Sequence, residues 1–247
     1  MQWCQGMYAS GSTWVVHALR STGSLLFPDR PHTTLFVETA DDLPLGWSRS
    51  ERLIVKTHHL DGTAATLLLR GAKHIWISVR DPRDCVASLM TYMNEDFETA
   101  LDNVAKSAWQ CERVIASRKG TLLRYEDRFF DEPATLDRFA GCFARALSNE
   151  DRESLFQLTR RDAIERMIRS FDPKETVDDG FPGHRVHIPT QWHTHHANRT
   201  GEIGRWRQSL DPAQISDVER FLCPWMERFG YLPGQLPASN GVRVPSA

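Results

Sequence analysis

The chain has 247 residues, 40% of them hydrophobic and 25% charged, which is enough to bury one sizeable core. Its formal net charge of −2 excludes a strongly basic surface for nucleic acid or for an anionic membrane. A polyanionic ligand would therefore have to bind at a local cluster of cations.

Cysteine usage indicates a reducing compartment, and hydropathy gives no sign of a membrane span. The five cysteines are odd in number and show no C-x-x-C spacing, which argues against a disulfide framework and against a zinc site. No stretch approaches the roughly 18 uninterrupted apolar residues of a membrane span. We expect a cytoplasmic protein that needs no metal and has neither nucleic acid nor membrane as a partner. The sequence leaves the oligomeric state open.

Four short runs predict strands. Trp3 to Tyr8 is an apolar run that meets a turn of small residues and then a helix-compatible segment. Arg52 to Lys56, His74 to Val79 and Thr121 to Tyr125 are rich in β-branched and aromatic residues. Such runs are typical of buried strands in a parallel sheet.

Amphipathic patterns predict helices between and after these strands. They cover residues 97–119, 136–147 and about 149–170, and a last helix begins at Asp211-Pro212. The apolar positions of that last helix, Phe221 among them, are expected to be buried. Because strands alternate with helices, we predict an α/β fold: one three-layer domain with a central, mainly parallel sheet flanked by helices, like the P-loop NTPases.

The C-terminal third changes in composition. Residues 172–198 are rich in proline, glycine and histidine, which predicts a long irregular lid over an acceptor site. The tail, 233–247, is rich in proline, glycine and serine and is predicted to be flexible. We therefore expect one domain over 1–232, with the lid inside it.

The turn after the first strand has the spacing of a phosphate-binding loop. Its sequence GMYASGST, Gly6 to Thr13, matches G-x-x-x-x-G-K-[ST] except that Ser12 stands at the lysine position. Backbone amides and hydroxyls at a helix N-terminus can hold a phosphate. The missing lysine counts against hydrolysis of nucleoside triphosphates. Taken alone, the turn is equally compatible with a plain strand-to-helix connection.

A second motif, VRDPRDCVASL, follows the strand that ends at Val79. Arg80 lies at the end of this strand, and Ser88 follows eight residues later on the next helix. An arginine fork and a hydroxyl suit a dianionic phosphate, because charge-assisted hydrogen bonds are about twice as strong as neutral ones. The alternative is a solvated salt-bridge cluster of Arg80, Asp81, Arg83 and Asp84 at a helix start.

Four segments stand in the order found in cytosolic-type sulfotransferases: SGSTW, IVKTHHL, VRDPRD with its later serine, and RTGEIGRW. The chain resembles that PAPS-dependent superfamily over residues 6–206. The resemblance implies an enzyme that transfers a sulfuryl group from 3'-phosphoadenosine 5'-phosphosulfate (PAPS) to a hydroxyl or amine acceptor. It also implies adenosine 3',5'-bisphosphate (PAP) as the product and no metal.

The resemblance further implies roles for particular residues. His58 corresponds to the general base and Lys56 to a cation that stabilises the transferring group. Arg80 and Ser88 correspond to ligands of the 3'-phosphate, and Tyr125 corresponds to the tyrosine that approaches the adenine. Arg199, Thr200 and Gly201 belong to the segment that contacts the 3'-phosphate. The loop that binds the 5'-phosphosulfate in the family corresponds here to Ser10, Gly11, Ser12, Thr13 and Trp14.

The chain departs from the family at Ala9, where members usually have Lys or Arg, and at Thr200, where a lysine is usual. Three explanations for Ala9 are open. Lys56 or a lid arginine such as Arg185 substitutes for the missing cation, the protein is a slow or inactive relative that binds nucleotide, or Ala9 was introduced to trap a complex. Losing one such electrostatic contact costs about 10²–10³ in turnover.

Half of the ten histidines fall in the predicted lid. Their spacing admits a metal site, but a lid position favours an acceptor wall shared with Trp192. These histidines are His184, His187, His193, His195 and His196.

Two rival functions remain at this level. A P-loop kinase would need the loop lysine and a carboxylate for magnesium, for which Asp81 is the obvious candidate. A non-catalytic nucleotide-binding protein is favoured by Ala9 and Thr200 and opposed by the retained Lys56, His58, Arg80 and Ser88. The acceptor cannot be derived from the sequence, and small alcohols, phenols, amines, sugars and peptide tyrosines are all open.

Overall fold

The computed structural model describes residues 1–30, 32–44, 52–117, 120–178, 184–190, 192–194, 196 and 201–231. Five parallel strands form its central sheet: Gln2–Gly6 (β1), His32–Phe36 (β2), Arg52–Thr57 (β3), His74–Val79 (β4) and Gly120–Arg124 (β5). Their spatial order is β2-β3-β1-β4-β5. The predicted α/β fold with a mainly parallel sheet is therefore confirmed.

Helices cover both faces of this sheet, because successive side chains of each strand point to opposite faces. Trp3 belongs to one core cluster and Cys4 to the other, and Ile75 and Trp76 divide in the same way. The nine helices of the described residues are Ser12–Leu26 (α1), Gly62–Gly71 (α2), Pro82–Tyr92 (α3), Phe97–Ala116 (α4), Pro133–Cys142 (α5), Asn149–Thr159 (α6), Arg161–Arg169 (α7), Trp206–Ser209 (α8) and Pro212–Arg228 (α9).

The two clusters give the predicted three layers. One contains buried residues of α2, α3, α4 and α9, and the other contains residues of α1, α5, α6 and α7. No helix in the described part of the chain is long and apolar enough to cross a membrane.

Several element predictions need correction. β2 was not predicted, because its sequence HTTLF is only half-buried at the sheet edge and lacks the apolar run of an inner strand. The helical stretch predicted over 149–170 is two helices, because Arg160 is extended, with ψ 151°, and ends α6. The start of α9 is confirmed, with the Asp211 carboxylate accepting hydrogen bonds from the N–H groups of Ala213 and Gln214. Phe221 is 58% exposed, so its predicted burial was wrong.

The predicted irregular lid over 172–198 contains regular structure. Strands Thr176–Asp178 (β6), Arg185–His187 (β7) and Trp192–His193 (β8) form an antiparallel sheet in the order β6-β7-β8. These strands are too short to leave a period-two pattern in a sequence rich in proline and histidine. The predicted tail, 233–247, lies outside the described residues, and the domain boundary at 232 stays a prediction.

Candidate active site

A cavity of about 680 Å³ opens at the carboxyl end of the central sheet. Each of the five strands contributes a lining residue at or just after its end: Tyr8, Phe36, His58, Arg80 and Tyr125. Ligands of open α/β sheets bind at this edge, where strand ends converge. The cavity volume falls within the range of small-molecule sites, about 300–1,000 Å³.

The loop between β1 and α1 forms the floor of the cavity. Its tight path requires Gly6, where an added Cβ would lie 2.5 Å from Cβ of Ser12, and Gly11, which has φ 82°. The hydroxyl of Ser10 donates to the Met7 carbonyl at 2.7 Å and lies 2.8 Å from the hydroxyl of Ser78. Ser10 is fully buried and does not line the cavity. It shapes the loop from beneath.

The next four predicted loop residues, Gly11 to Trp14, do line the cavity. The first intrahelical bond of α1 runs from Val15 N–H to the Gly11 carbonyl, so the N–H groups of residues 12–14 are not used within the helix. They carry the positive end of the helix dipole. The Trp14 indole is committed elsewhere, because it donates to the Thr159 carbonyl at 2.8 Å and its ring packs on Phe129.

Lys56, the last but one residue of β3, brings a positive charge beneath this loop. Its ammonium group donates to the Thr13 hydroxyl at 2.8 Å, and the residue is only 4% exposed. The sequence-predicted cation and the phosphate-type loop are therefore in direct contact.

His58 follows Lys56 at the end of β3 and lines the same cavity. Its Nδ1 lies 2.9 Å from the Gly6 carbonyl, which can only accept, so Nδ1 carries the proton and the lone pair is on Nε2. Burial and the charge of Lys56 lower the pKa of His58 well below its usual value, so the ring is neutral at pH 7. A neutral imidazole with a lone pair on Nε2 can accept a proton.

Arg80 lines the cavity in contact with the loop and is held on several sides. Its guanidinium donates to the carbonyls of Ala9 at 3.2 Å and Glu202 at 2.6 Å, and it lies 3.4 Å from the Asp84 carboxylate. The guanidinium carbon lies 4.3 Å from the ring centroid of Tyr125. Its Nε is buried without a hydrogen-bond partner. Ser88, which lies eight residues later on α3, lines the same cavity.

The segment that begins at Gly201 packs on this arginine. Gly201 has φ 67°, its carbonyl accepts a hydrogen bond of 3.3 Å from the Tyr125 hydroxyl, and it lines the cavity. The Asp84 carboxylate accepts from the N–H groups of Gly204 at 2.7 Å and Trp206 at 3.0 Å. Arg199 and Thr200 lie outside the described residues.

The salt-bridge interpretation of the VRDPRD motif holds for both arginines, since Arg80 lies 3.4 Å from the Asp84 carboxylate and Arg83 pairs with Asp81. Arg83 is fully buried and pairs with Asp81 at 2.7 Å and with Glu219 at 2.6 Å. This pair lies inside the protein, so the cluster is not solvated as the alternative assumed. The Arg80 side chain lines the cavity, whereas the Arg83 side chain lies in the protein interior, although the two residues are only three positions apart.

The lid histidines divide into two groups. His193 and His196 line the cavity together with Trp192, whereas His187 stacks on Phe171 at 4.0 Å and contacts the Thr190 hydroxyl at 2.7 Å. His195 is outside the described residues. Within the described ranges, no group of three or more potential metal ligands occurs.

Arg185 is not available to replace the cation missing at Ala9. Its guanidinium donates to the hydroxyl of Thr176 at 2.7 Å and to its carbonyl at 2.6 Å, and it does not line the cavity. That alternative was wrong, and Lys56 is the candidate that contacts the loop.

Sequence reasoning assigned no role at the site to several cavity residues. Tyr8 and Arg205 lie inside the quoted segments GMYASGST and RTGEIGRW at positions to which no role was given, and the other three come from elements whose approach the sequence does not encode. The missed residues include Tyr8, Phe36, Tyr92, Glu95 and Arg205.

Comparison with known proteins shows which fold this is. The chain superimposes on a mouse sulfotransferase, SULT7A1, complexed with PAP, with a TM-score of 0.63 and 15% identity, covering 91% of this chain and 83% of that chain. Retinol dehydratase with androsterone and inactive cofactor PAP gives a TM-score of 0.60, 14% identity, and 96% and 82% coverage. The same protein's complex with retinol and PAP gives 0.56, 16%, and 96% and 83%. The chain therefore has the sulfotransferase fold.

Sequence-level comparison adds nothing to this. No protein-family model matches the chain, and no curated protein does.

Proposed function

We propose that the protein is a sulfotransferase that uses PAPS as donor and a small-molecule hydroxyl or amine as acceptor. The observation that carries the proposal is the convergence of Lys56, His58, Arg80 and the phosphate-type loop on one cavity. These residues lie in three separate segments between residues 6 and 80, and unrelated motifs would not be expected to converge on one cavity. The fold shared with sulfotransferases supports the same conclusion.

The donor set fits a nucleotide with phosphates at two ends. The N–H groups at the start of α1 with Ser12, Thr13 and Lys56 would hold the 5'-phosphosulfate. Arg80, whose buried Nε has no protein partner, would hold the 3'-phosphate with Ser88. Tyr125 and Gly201 lie beside Arg80, where the adenosine would bind. Arg199 and Thr200 stay predicted ligands. PAPS would supply the sulfuryl group that is transferred.

The protein's own part in the reaction is proton transfer and charge stabilisation. Nε2 of His58 accepts the proton of the acceptor group, while the Gly6 carbonyl holds the ring in that tautomer. Lys56 and the N–H groups of α1 stabilise negative charge at the loop. These are the roles predicted from the sequence, now supported by contacts that the sequence could not provide.

Magnesium-dependent phosphoryl transfer is less well supported. Asp81, the carboxylate available for a metal, accepts hydrogen bonds from Arg83 on both oxygens, at 3.0 Å and 2.7 Å. Asp84 is likewise occupied by the N–H groups of Gly204 and Trp206. To bind magnesium, a kinase would have to free one of these carboxylates from its hydrogen bonds.

The acceptor class follows only in part from the fold. The neighbouring retinol dehydratase structures contain androsterone or retinol, which supports a small-molecule acceptor here.

Cytoplasmic location agrees with a reducing environment for the free cysteines.

The test is calorimetric titration with PAP and, separately, with magnesium-ATP. We expect metal-independent PAP binding that Arg80→Ala weakens about 100-fold, since a charge-assisted contact to phosphate is lost. Arg220→Ala is the control, because Arg220 is exposed on α9, pairs with Asp217 at the surface and does not line the cavity. Arg83→Ala is unsuitable, since it would leave buried carboxylates unpaired.

Preference for magnesium-ATP would assign the protein to the kinase class instead. Equal PAP affinities of Arg80→Ala and Arg220→Ala would remove Arg80 from the donor site.

A further inference from the structure

Glu95 places a carboxylate in the wall of the cavity. It lies in the connection between α3 and α4, is half-buried, and lines the same cavity as His58. Its Oε2 accepts a hydrogen bond of 3.1 Å from the Asn103 amide on α4. Burial raises the pKa of Glu95, as expected for a carboxylate taken from water without a cation beside it.

No lysine, arginine or histidine of the described residues forms an ion pair with Glu95, although the α4 carboxylates Asp102 and Glu112 pair with Lys106 and Arg228. The hydrogen bond that Glu95 makes is to the neutral Asn103 amide, and the half-buried carboxylate lines the cavity, so its negative charge is available to a ligand.

Tyr8 connects this carboxylate to the proposed base. Its ring stacks on His58 with centroids 4.2 Å apart and planes at 19°. Its N–H donates to Ser107, which is one turn beyond Asn103 on α4. Burial and the nearby charges of Glu38 and Glu95 raise the pKa of the Tyr8 hydroxyl. Glu95 thus lies within electrostatic reach of a ring in direct contact with His58.

Lys56 and Arg80 are assigned to the anionic donor, and neither pairs with Glu95, which lies near Tyr8 with its hydrogen-bond partner Asn103. Two aromatic rings of the wall already have a cation of the protein beside them: Lys56 Nζ lies 5.8 Å from the Phe36 ring centroid, and the Arg205 guanidinium carbon lies 5.2 Å from that of Tyr92. Glu95 has no such cation among the described residues, so a cation of the ligand could pair with it.

We propose that the acceptor is a small molecule with a positively charged group, such as an ammonium, that binds Glu95 while its nucleophilic atom faces His58. This inference rests on the proposed function, since an acceptor presupposes a donor. The negative charge of Glu95 would attract such an acceptor and repel the anionic donor from this part of the cavity.

The experiment uses the protein saturated with PAP and two probe pairs in which an ammonium replaces a methyl group. Tyramine is compared with para-propylphenol, and aminopentanol with hexanol, by calorimetry. We expect the ammonium member of at least one pair to bind about tenfold more tightly, as for a hydrogen bond between charged groups. Glu95→Gln should abolish this preference and leave the affinity of the neutral member within about twofold, since only the charge changes.

Glu98→Gln is the matched control, because Glu98 is exposed in the first turn of α4 and does not line the cavity. It should keep the preference. Stronger binding of the neutral members, an unchanged preference in Glu95→Gln, or no binding by either pair would each overturn the inference. PAP saturation, measured first, reports on the proposed function alone, so PAP binding without an ammonium preference rejects only the cationic acceptor.

Discussion

Ala9 adopts a backbone conformation that L-residues rarely take. Its φ is 56°, in the left-handed region, which costs a non-glycine residue about 1 kcal/mol. The surrounding loop imposes this geometry, because Arg80 donates to the Ala9 carbonyl and Gly11 two residues on is also left-handed. Ala9 lines the cavity, so a longer side chain at this position would extend along its wall.

Ala9→Lys should therefore accelerate PAPS consumption. A cation here would supplement Lys56 at the loop, and one electrostatic contact of this kind is worth about 10²–10³ in turnover. Ala9→Gln is the control, since it adds length without charge. Release of PAP is measured for both variants under the same conditions. Equal rates would indicate that Lys56 already supplies the charge that the loop needs.

His58 offers a second test at this scale, independent of any acceptor. Its pKa lies well below 6.5 because of burial and the charge of Lys56, so the ring should remain neutral as pH falls from 8 to below 6.5. An ordinary histidine would be half-protonated at about 6.5. The titration is followed by NMR of the imidazole, with the resonance assigned from His58→Gln.

Lys56→Met should shift the His58 midpoint to higher pH, because removing a nearby cation favours the protonated ring. PAP should shift it in the same direction, because an anion stabilises the imidazolium. A midpoint at 6.5 in the free wild-type protein would contradict the buried environment described above.

At the scale of elements, the inner strands could be predicted and the peripheral ones could not. Leu53 to Val55 and Ile75 to Ile77 are buried on both faces and form continuous apolar runs in the sequence. β2 at the edge and the two- or three-residue strands β7 and β8 are formed by pairing with other parts of the chain. Such strands leave no local pattern, because their stability comes from tertiary contact.

The surroundings of the Asp84 side chain likewise could not be predicted from the sequence. Its motif position suggested a solvated salt bridge. Its carboxylate is instead buried beside Arg80 and also accepts hydrogen bonds from two N–H groups more than 100 residues further along the chain. It joins the N-terminal end of α3 to the segment 201–206, which contacts Arg80. Asp84 is therefore a positioning residue for the proposed 3'-phosphate site.

Asp84→Asn should weaken PAP binding about tenfold through this segment, since an amide can accept from only one of the two N–H groups and leaves the other unsatisfied. Hydrogen exchange at Gly204 and Trp206 should accelerate with it. Asp81→Asn is the control: it disturbs the same helix start and its pair with Arg83 without contacting residues 201–206. An affinity loss in both variants without faster exchange would indicate general destabilisation.

For the whole molecule, the net charge of −2 does not report the local charges of the site, where Lys56 and Arg80 line the same cavity as Glu95. The parts that could be predicted, Lys56 with His58 and Arg80 with Ser88, lie in contiguous motifs at strand ends. The rest of the cavity, including Phe36 and Glu95, comes from parts of the chain whose approach depends on the packing of the three layers. No local spacing encodes that approach.

The packing also makes global stability depend on pH through His17. This residue is buried in α1, where its ring makes an edge contact with Trp192 of β8, 5.9 Å between centroids. Burial, reinforced by Arg20, lowers the pKa of His17 to about 4. A lowered folded-state pKa means that the unfolded chain binds the proton more readily, so stability is full above about 6.5 and falls as the pH drops toward 4.

His17 alone should reduce the free energy of unfolding by about 2 kcal/mol between pH 7 and pH 5. The measurement is urea denaturation of the wild type and of His17→Gln across this range. Taking the difference between the two proteins removes the contribution of other titrating groups, including His32, whose pKa is also lowered to about 4. His17→Gln should lose less stability on acidification than the wild type, so the two curves converge as the pH falls. Parallel curves would mean that His17 is protonated in the folded protein and that the contact between α1 and β8 opens without unfolding the rest.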